Sequence, residues 1–297
     1  MSRAWFSQQE RSSTFWLRTI IWIARNLGRS FARGLLYPIT VYFVISSKVT
    51  RQASRRFLRR ALDREPGFLD VYRHHHCFAS VILDRVFLLA GREELLDIRI
   101  QGYQMAKDQL AKGKGAILLG SHLGSFEALR VLGTLDDKLG LKVLMKEDHN
   151  QMITELLNML NPEIANSVIG LGQPDTFLKV REALEQQEMI GMLGDRVMDN
   201  EKNMRCEFFG QSAGFPLGPL QLAAALKVPV ILFYGLYLGG NRYDVHFELL
   251  TEGIDSPREQ RAQKVQELTC EYAHQLEIKA RLAPWNWFNF YDYWGEG

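Results

Sequence analysis

A histidine and a carboxylate five residues apart carry the clearest chemical signal in this sequence. His122 follows the short apolar run 116–119 and two small residues, and Glu127 lies in the helix-compatible stretch after it. Residues at this spacing do not share a helix face, but they can meet across a tight turn. A carboxylate that holds one imidazole nitrogen leaves the other to take a proton from a hydroxyl or thiol. The pattern predicts a general base; the alternative is a turn histidine bonded only to the backbone.

Alternating strands and helices surround this pair. Short apolar runs predict six strands, at 116–119, 141–145, 168–169, 189–193, 228–236 and 243–250. A Gly-Gly-Asn hairpin turn joins the last two. Helices are predicted over 102–112, 126–132, 150–160, 174–187, 219–226 and 257–283. The alternation predicts an α/β fold with a mostly parallel central sheet flanked by helices. Such sheets place their chemistry at the carboxyl ends of strands, where His122 lies.

Gly194, Asp195 and Arg196 directly follow the predicted strand 189–193, so they also lie at a carboxyl end. The planar guanidinium of Arg196 could bind a phosphate or carboxylate through two parallel hydrogen bonds. The alternative is an ordinary loop with a surface ion pair. Arg196 is therefore predicted to recognise an anionic group.

Residues 15–45 are rich in aromatic and aliphatic side chains without forming a long apolar span. The longest uncharged run, 34–47, would extend only roughly 21 Å as a helix, and Pro38 interrupts it. Tryptophan with arginine on one helical side is typical of a segment lying on anionic lipid, and the alternative is a core hairpin with a solvated arginine face. The arginines that recur at helical spacing are Arg18, Arg25, Arg29 and Arg33. We therefore divide the chain into a membrane-associating arm, 1–50, and a catalytic domain, 51–297.

The net charge and the cysteines of the chain exclude fewer classes of function than the motifs do. The net charge is only +2, which argues neither for nor against nucleic acid binding. The three cysteines are widely spaced, so they predict neither a disulfide framework nor a zinc site and favour a reducing compartment. These cysteines are Cys77, Cys206 and Cys270.

Two further clusters, one of arginines and one of histidines, are each predicted to belong to the surface of a helix. The arginine-rich stretch 51–62 is predicted to be a solvated helix, and it could alternatively receive an acidic carrier protein. His74, His75 and His76 are consecutive, so on a helix they point in three directions and cannot hold one ion together. A helix surface is predicted for them.

The sequence of residues 122–127, His-Leu-Gly-Ser-Phe-Glu, resembles the His-x4-Asp/Glu motif of the lysophospholipid acyltransferase superfamily. With Glu127 and Gly124 it most resembles the lipid A biosynthesis (lauroyl/myristoyl) acyltransferase branch. Residues 208–219 and the Trp-containing tail 284–294 are also similar to that branch, and the resemblance covers roughly residues 100–294. The glycerol-phosphate branch has Glu where Leu217 stands here, which argues against a glycerol phosphate acceptor. The basic run that usually follows the tail in lipid A enzymes is lacking.

The resemblance implies that the chain transfers a fatty acyl group from a thioester on acyl carrier protein or CoA. The acceptor would be a hydroxyl of a lipid or glycolipid at the cytoplasmic face of the bacterial inner membrane, with the protein peripheral or monotopic. No metal, bound cofactor or nucleic acid partner is expected. His122 would be the base and Glu127 would orient it. Substrate would be bound by Lys146, Asp195, Arg196, Ser125 and Gly124, with amides at the start of the Ser125 helix near the oxyanion.

Two other functions are compatible with the residues. One is a non-catalytic protein that binds membrane lipid or acyl carrier protein through the arginine-rich N-terminal region. The other is a thioesterase, which would pass the acyl group to water. Thioester consumption that depends on His122 would exclude the first, and the identity of the product would exclude the second.

Overall fold

A computed structural model describes residues 14–130, 140–145, 167–198 and 200–295. The α-helices of this part are α1 (Thr14–Ser46), α2 (Lys48–Leu62), α3 (Phe68–Leu89), α4 (Tyr103–Leu110), α5 (Thr176–Glu185), α6 (Gly218–Leu226) and α7 (Arg258–Leu282). The strands are β1 (Asp97–Gln101), β2 (Ala116–Gly120), β3 (Leu141–Met145), β4 (Val168–Gly170), β5 (Met189–Leu193), β6 (Asn203–Phe208), β7 (Gln211–Pro216), β8 (Val230–Gly239) and β9 (Arg242–Thr251). Short 3-10 helices lie at Glu93–Leu95 and Glu127–Arg130.

A seven-stranded sheet of order β1-β9-β8-β2-β5-β3-β4 forms the centre of the molecule. Strands β8, β2, β5, β3 and β4 run parallel to one another. Strand β9 is antiparallel to β8 through the predicted hairpin, and β1 lies parallel to β9 at the edge. The predicted α/β fold with a mostly parallel sheet and flanking helices is confirmed.

Both faces of the sheet are covered, which explains why its central strands are continuous apolar runs. In β2, Ile117 and Leu119 belong to the core packed under α2, α5, α6 and α7. Ala116 and Leu118 belong to the core on the other face, which α4 covers. Successive side chains of a strand point to opposite faces, so every residue of β2 is buried.

Most predicted elements are present within one or two residues of their expected bounds, with three differences. Strand β1 and the separate antiparallel hairpin of β6 and β7 are elements that the sequence pattern did not predict. The helix predicted from residue 126 begins instead as the 3-10 helix Glu127–Arg130. The helix predicted over 150–160 lies outside the described residues.

Helix α1 has a sharp kink at Gly28, where φ is 79° and ψ is 168°. The arginines at 18, 25, 29 and 33 were predicted to share one side of a helix, and the kink interrupts that helix between residues 25 and 29. Arg29 instead forms an ion pair with the buried Asp84 of α3 at 2.7 Å. Arg33 lies over the ring of Tyr237, so neither of these two arginines belongs to a solvent- or lipid-facing stripe. No helix in the described ranges is long and apolar enough to cross a membrane.

Two of the three consecutive histidines of α3, His74 and His75, are buried and do not form the helix surface that the sequence predicted. His74 is fully buried, with Nδ1 2.8 Å from the Ser54 hydroxyl and Nε2 2.8 Å from the Trp287 carbonyl oxygen. Burial lowers its pKa to about 3, so the ring is neutral and its Nε2–H donates to that carbonyl. His75 is also buried and bonds the Val71 carbonyl at 2.8 Å. The face is apolar because α2 and the aromatic tail pack against it.

The cysteines also differ from the prediction, which was that they form no disulfide. Cys206 of β6 and Cys270 of α7 are joined in a disulfide, with their Cα atoms 5.1 Å apart. They are 64 residues apart in sequence, so spacing alone gave no indication of the pairing. Cys77 is free and buried.

The division of the chain at residue 50 into an N-terminal arm and a catalytic domain stays a prediction.

The turn after β2 passes close to the backbone of β8. The Ser125 amide donates a 2.7 Å hydrogen bond to the Gly235 carbonyl. Gly124 has φ of +75°, and a Cβ there would lie 2.0 Å from the oxygen of Gly235. Only glycine is compatible with both the left-handed backbone and this approach.

We expect Gly124→Ala to reduce stability far more than Gly240→Ala. Gly240 has a similar φ of +66° but no atom within 4 Å of the Cβ position, so its variant carries only the left-handed strain, about 1 kcal/mol. Overpacking against β8 should cost Gly124→Ala about 2 kcal/mol more. Denaturant unfolding of both variants measures the difference. Equal losses would show that the turn can move away from β8.

Candidate active site

His122 and Asp195 come together because β2 and β5 are neighbours in the sheet. Gly120 pairs with Leu193 in the register of these parallel strands, so the residues two places further along lie side by side. His122 Nδ1 is 2.7 Å from Asp195 Oδ1. The His122 backbone amide donates to the other carboxylate oxygen, Oδ2, at 3.0 Å. The carboxylate therefore holds both the ring and the main chain of the histidine.

The Asp195 carboxylate is completely buried and is surrounded by hydrogen-bond donors. Trp287 Nε1 and Asn289 Nδ2 donate to Oδ2 at 3.1 and 2.9 Å. The Tyr293 hydroxyl donates to the Asp195 carbonyl at 3.0 Å. Burial alone would raise the pKa of Asp195, but the His122 ring, the Arg196 charge and the Asn289 amide outweigh it and hold that pKa at about 2. Asp195 is therefore ionised at neutral pH.

This geometry corrects the roles that the sequence assigned to the two acidic residues. Glu127 was expected to orient His122, but its carboxylate pairs with Arg85 of α3 at 2.7 Å. Asp195 was expected to bind substrate, yet it is buried beneath the histidine. The 3-10 helix that carries Glu127 packs against α3, which directs its side chain to Arg85 and away from the His122 Nδ1.

Arg196 holds protein groups in this structure. Its Nε donates to Asn289 Oδ1 at 2.7 Å, and an Nη2–H donates to the Phe288 carbonyl at 3.1 Å. These bonds fix the segment that supplies Trp287 and Asn289 to Asp195. The observed contacts make Arg196 a positioning residue, and recognition of an anionic group by Arg196 stays a prediction.

The other three residues predicted to bind substrate are Gly124, Ser125 and Lys146. Gly124 and Ser125 form the turn beside His122, but their amides donate to the carbonyls of Asn286 and Gly235. These two amides are therefore engaged within the protein, in contrast to the expected oxyanion role. The Ser125 hydroxyl is buried without a hydrogen-bond partner. Lys146 lies outside the described residues.

Sequence reasoning missed three residues that complete the site: Arg85, Trp287 and Asn289. Trp287 and Asn289 belong to the aromatic tail, whose composition was noticed only as a family feature. Arg85 lies in the middle of a long helix with nothing local to mark it. The one available signal was that His122 and Asp195 each follow a strand by two residues.

The electrostatic surroundings keep His122 neutral. Burial and the nearby Arg196 and Arg85 lower its pKa below the ordinary 6.5, and Asp195 opposes that shift only in part. An ionised carboxylate can only accept, so the proton of the neutral ring resides on Nδ1. Nε2 then carries a lone pair, and the side chain is 26% exposed. The pair has the arrangement of a general base with an orienting carboxylate.

Comparison with known proteins identifies the family to which the chain belongs. The family model described as bacterial lipid A biosynthesis acyltransferase matches residues 3–295. The chain belongs to that family. A search of the curated proteins finds no significant match.

Membership makes the chain a transferase of acyl groups that works on lipid A-like acceptors. The resemblance read from residues 122–127 and the aromatic tail is thereby confirmed. The family assignment favours an enzyme over the non-catalytic lipid-binding alternative. Within the described chain, the His122–Asp195 pair has a geometry that fits proton transfer.

Asp195→Asn should lower the acyl transfer rate of this acyltransferase more than Glu127→Gln does. An asparagine that turns its NH₂ toward Nδ1 stabilises the tautomer with the proton on Nε2, which abolishes the base. We expect a loss of about 10²–10⁴ in turnover. Glu127→Gln leaves the His122–Asp195 contact intact. Rates with an acyl thioester and circular dichroism as folding control test this, and the reverse order would make Glu127 the partner.

The pH dependence of the acyltransferase should respond to the charge of residue 196. His122 acts as a base only when neutral, so kcat/KM should fall as the pH drops through its lowered pKa. Arg196→Gln removes a charge that lowers this pKa, so the acid limb should move to higher pH. Arg196→Lys retains the charge and should leave the limb closer to wild type. Identical acid limbs in all three proteins would contradict the electrostatic coupling.

Proposed function

We propose that the protein is an O-acyltransferase, which moves a fatty acyl group from acyl carrier protein or CoA to a hydroxyl of a lipid A-like acceptor. The observation that carries the proposal is the neutral His122, held by the buried Asp195 at the carboxyl ends of two adjacent parallel strands. This arrangement serves a reaction in which a weakly acidic hydroxyl must lose its proton.

In the proposed reaction, His122 Nε2 accepts the hydroxyl proton while the acceptor oxygen attacks the thioester carbonyl. The tetrahedral intermediate collapses by breaking the carbon–sulfur bond. The departing sulfur takes the proton from the imidazolium, which regenerates neutral His122 and releases the free thiol. Asp195 stabilises the transient imidazolium through the 2.7 Å contact with Nδ1.

Unpartnered polar atoms of Glu127, Arg85 and Ser125 are the groups that we assign to the substrates. Glu127 Oε2, Arg85 Nε and Ser125 Oγ are each buried without a hydrogen-bond partner. An unsatisfied buried polar atom is costly, so such atoms concentrate where a ligand completes the bonding. Arg85 is near enough to His122 to lower its pKa. We assign the Arg85–Glu127 pair to a polar group of the acceptor, which keeps Glu127 in the catalytic centre with a different role.

The proposed location is the cytoplasmic face of the inner membrane, with the protein peripheral or monotopic. It is supported by the second half of α1, which presents large apolar side chains to solvent. Tyr37, Tyr42, Phe43 and Ile45 are 51–66% exposed. An exposed apolar surface of this extent is typical of a protein or membrane contact. The acceptor is an amphipathic lipid, which makes the membrane the more consistent partner.

His122→Ala should reduce acyl transfer by about 10²–10⁴ without unfolding the protein. The assay supplies acyl carrier protein or CoA thioesters and a membrane lipid extract, and mass spectrometry identifies the acylated lipid. His274→Ala, at an exposed position of α7, is the matched control and should retain wild-type activity. Near wild-type transfer by a folded His122→Ala protein would refute the mechanism.

The same assay distinguishes the transferase from the thioesterase. An acyl ester of the lipid is the expected product, whereas free fatty acid in the presence of acceptor would show that water is the nucleophile. Addition of a chelator tests the prediction that no metal takes part. Activity that survives it supports the mechanism above.

A further inference from the structure

A groove on the side of the molecule that carries α1 combines apolar walls with two arginines. It lies between the end of α1, the first turns of α2 and the start of α3, and its cavity volume is about 360 Å³. The lining side chains are Val44, Ile45, Arg51, Arg55, Phe68 and Val71. In the described chain, none of the lining residues forms a hydrogen bond or ion pair with His122, Asp195 or Glu127.

The two groove arginines differ from the other arginines of α2. Arg56 pairs with Asp292 at 3.0 Å and Arg59 pairs with Glu65 at 2.6 Å. Arg60 lies 4.3 Å from the ring centre of Trp294. Within the described chain, Arg55 has no carboxylate partner, and Arg51 bonds only the carbonyls of Val44 and Ile45. The groove therefore has an excess of positive charge that no side chain of its own neutralises.

Exposed apolar side chains surround the groove and come from three elements. Ile45 is 65% exposed, Val49 is 59% exposed, and Phe68 and Leu69 are 53% and 67% exposed. These residues continue the apolar surface of α1 onto α2 and α3. A ligand for this region must therefore present a negative charge beside an extended apolar chain.

We propose that this groove binds an anionic phospholipid of the membrane, with its phosphate between Arg51 and Arg55 and an acyl chain against Phe68 and Ile45. Arg51 and Arg55 are four residues apart on a helix and therefore share a face, which suits a single phosphate. A free phosphate would leave the apolar walls in water, and an acidic protein would leave Phe68 and Leu69 without a partner. This proposal rests on the membrane contact of α1 proposed above and specifies the class of lipid that the contact binds.

Vesicle binding by the full chain tests the site. Arg55→Gln should lower affinity about fivefold for phosphatidylcholine vesicles containing phosphatidylglycerol and leave binding to pure phosphatidylcholine unchanged. Arg59→Gln removes the same charge from the same helix but from an existing ion pair, so it should have a smaller effect. Phe68→Ser should weaken binding to both vesicle types, whereas Phe177→Ser, at a similarly exposed aromatic of α5, should not.

A photoactivatable phosphatidylglycerol then maps the contact. Crosslinked peptides should contain residues 44–55 and 68–71, and Arg55→Gln should reduce their yield. Equal binding of wild type, Arg55→Gln and Arg59→Gln to anionic vesicles would overturn the proposal, as would crosslinks confined to other regions. Loss of acyl carrier protein binding in Arg55→Gln with unchanged vesicle binding would also overturn it.

The same measurements on His122→Ala separate this proposal from the proposed function. Vesicle binding does not require acyl transfer, so His122→Ala should bind lipid as wild type does. Binding to both vesicle types with equal affinity would refute the anionic site and retain a membrane contact. Failure to bind either type would remove the membrane contact as well, while the acyl transfer assay would still decide the chemistry.

Discussion

A carboxylate buried away from water can stay ionised only if the protein supplies the hydrogen bonds that water would have given, and Asp195 meets this condition. Its donors come from His122 after β2 and from Trp287 and Asn289 in the aromatic tail. These partners are 73 to 94 residues away in sequence, so the ionised state of one side chain requires three distant segments to dock. Removing any donor would leave part of a buried charge unsatisfied. The tail is therefore as much a component of the site as the strands are.

Helix α3 connects this site to the apolar surface of α1. Its adjacent residues Asp84 and Arg85 face two different partners. Asp84 accepts from Arg29 and from the Tyr243 hydroxyl, which fixes α1 just after its kink. Arg85 pairs with Glu127, five residues after His122, at 2.7 Å. The same helix thus contacts both the base of the apolar surface, through Arg29, and the turn after His122, through Glu127.

The sequence was informative where the signal was local. Runs such as 116–119 and 189–193 predicted their strands because buried parallel strands are apolar on both faces. The choice between Glu127 and Asp195 could not be made this way, since it depends on β5 lying next to β2 in the sheet. His74 is similar: consecutive histidines appear polar in sequence, and only the packing of Ser54 and the Trp287 carbonyl around one of them makes it a core residue.

The position of the aromatic tail in the chain has a consequence for biosynthesis. A ribosome completes β2, β5 and the whole parallel sheet before it adds Trp287, Asn289 and Tyr293. Until then His122 has its carboxylate neighbour, but that carboxylate lacks its indole and amide donors, and the Asp195 carbonyl lacks its phenol donor. The hydrophobic second half of α1, by contrast, is synthesised well before the tail. The order of synthesis thus makes the apolar surface of α1 available before the site around His122 can assemble.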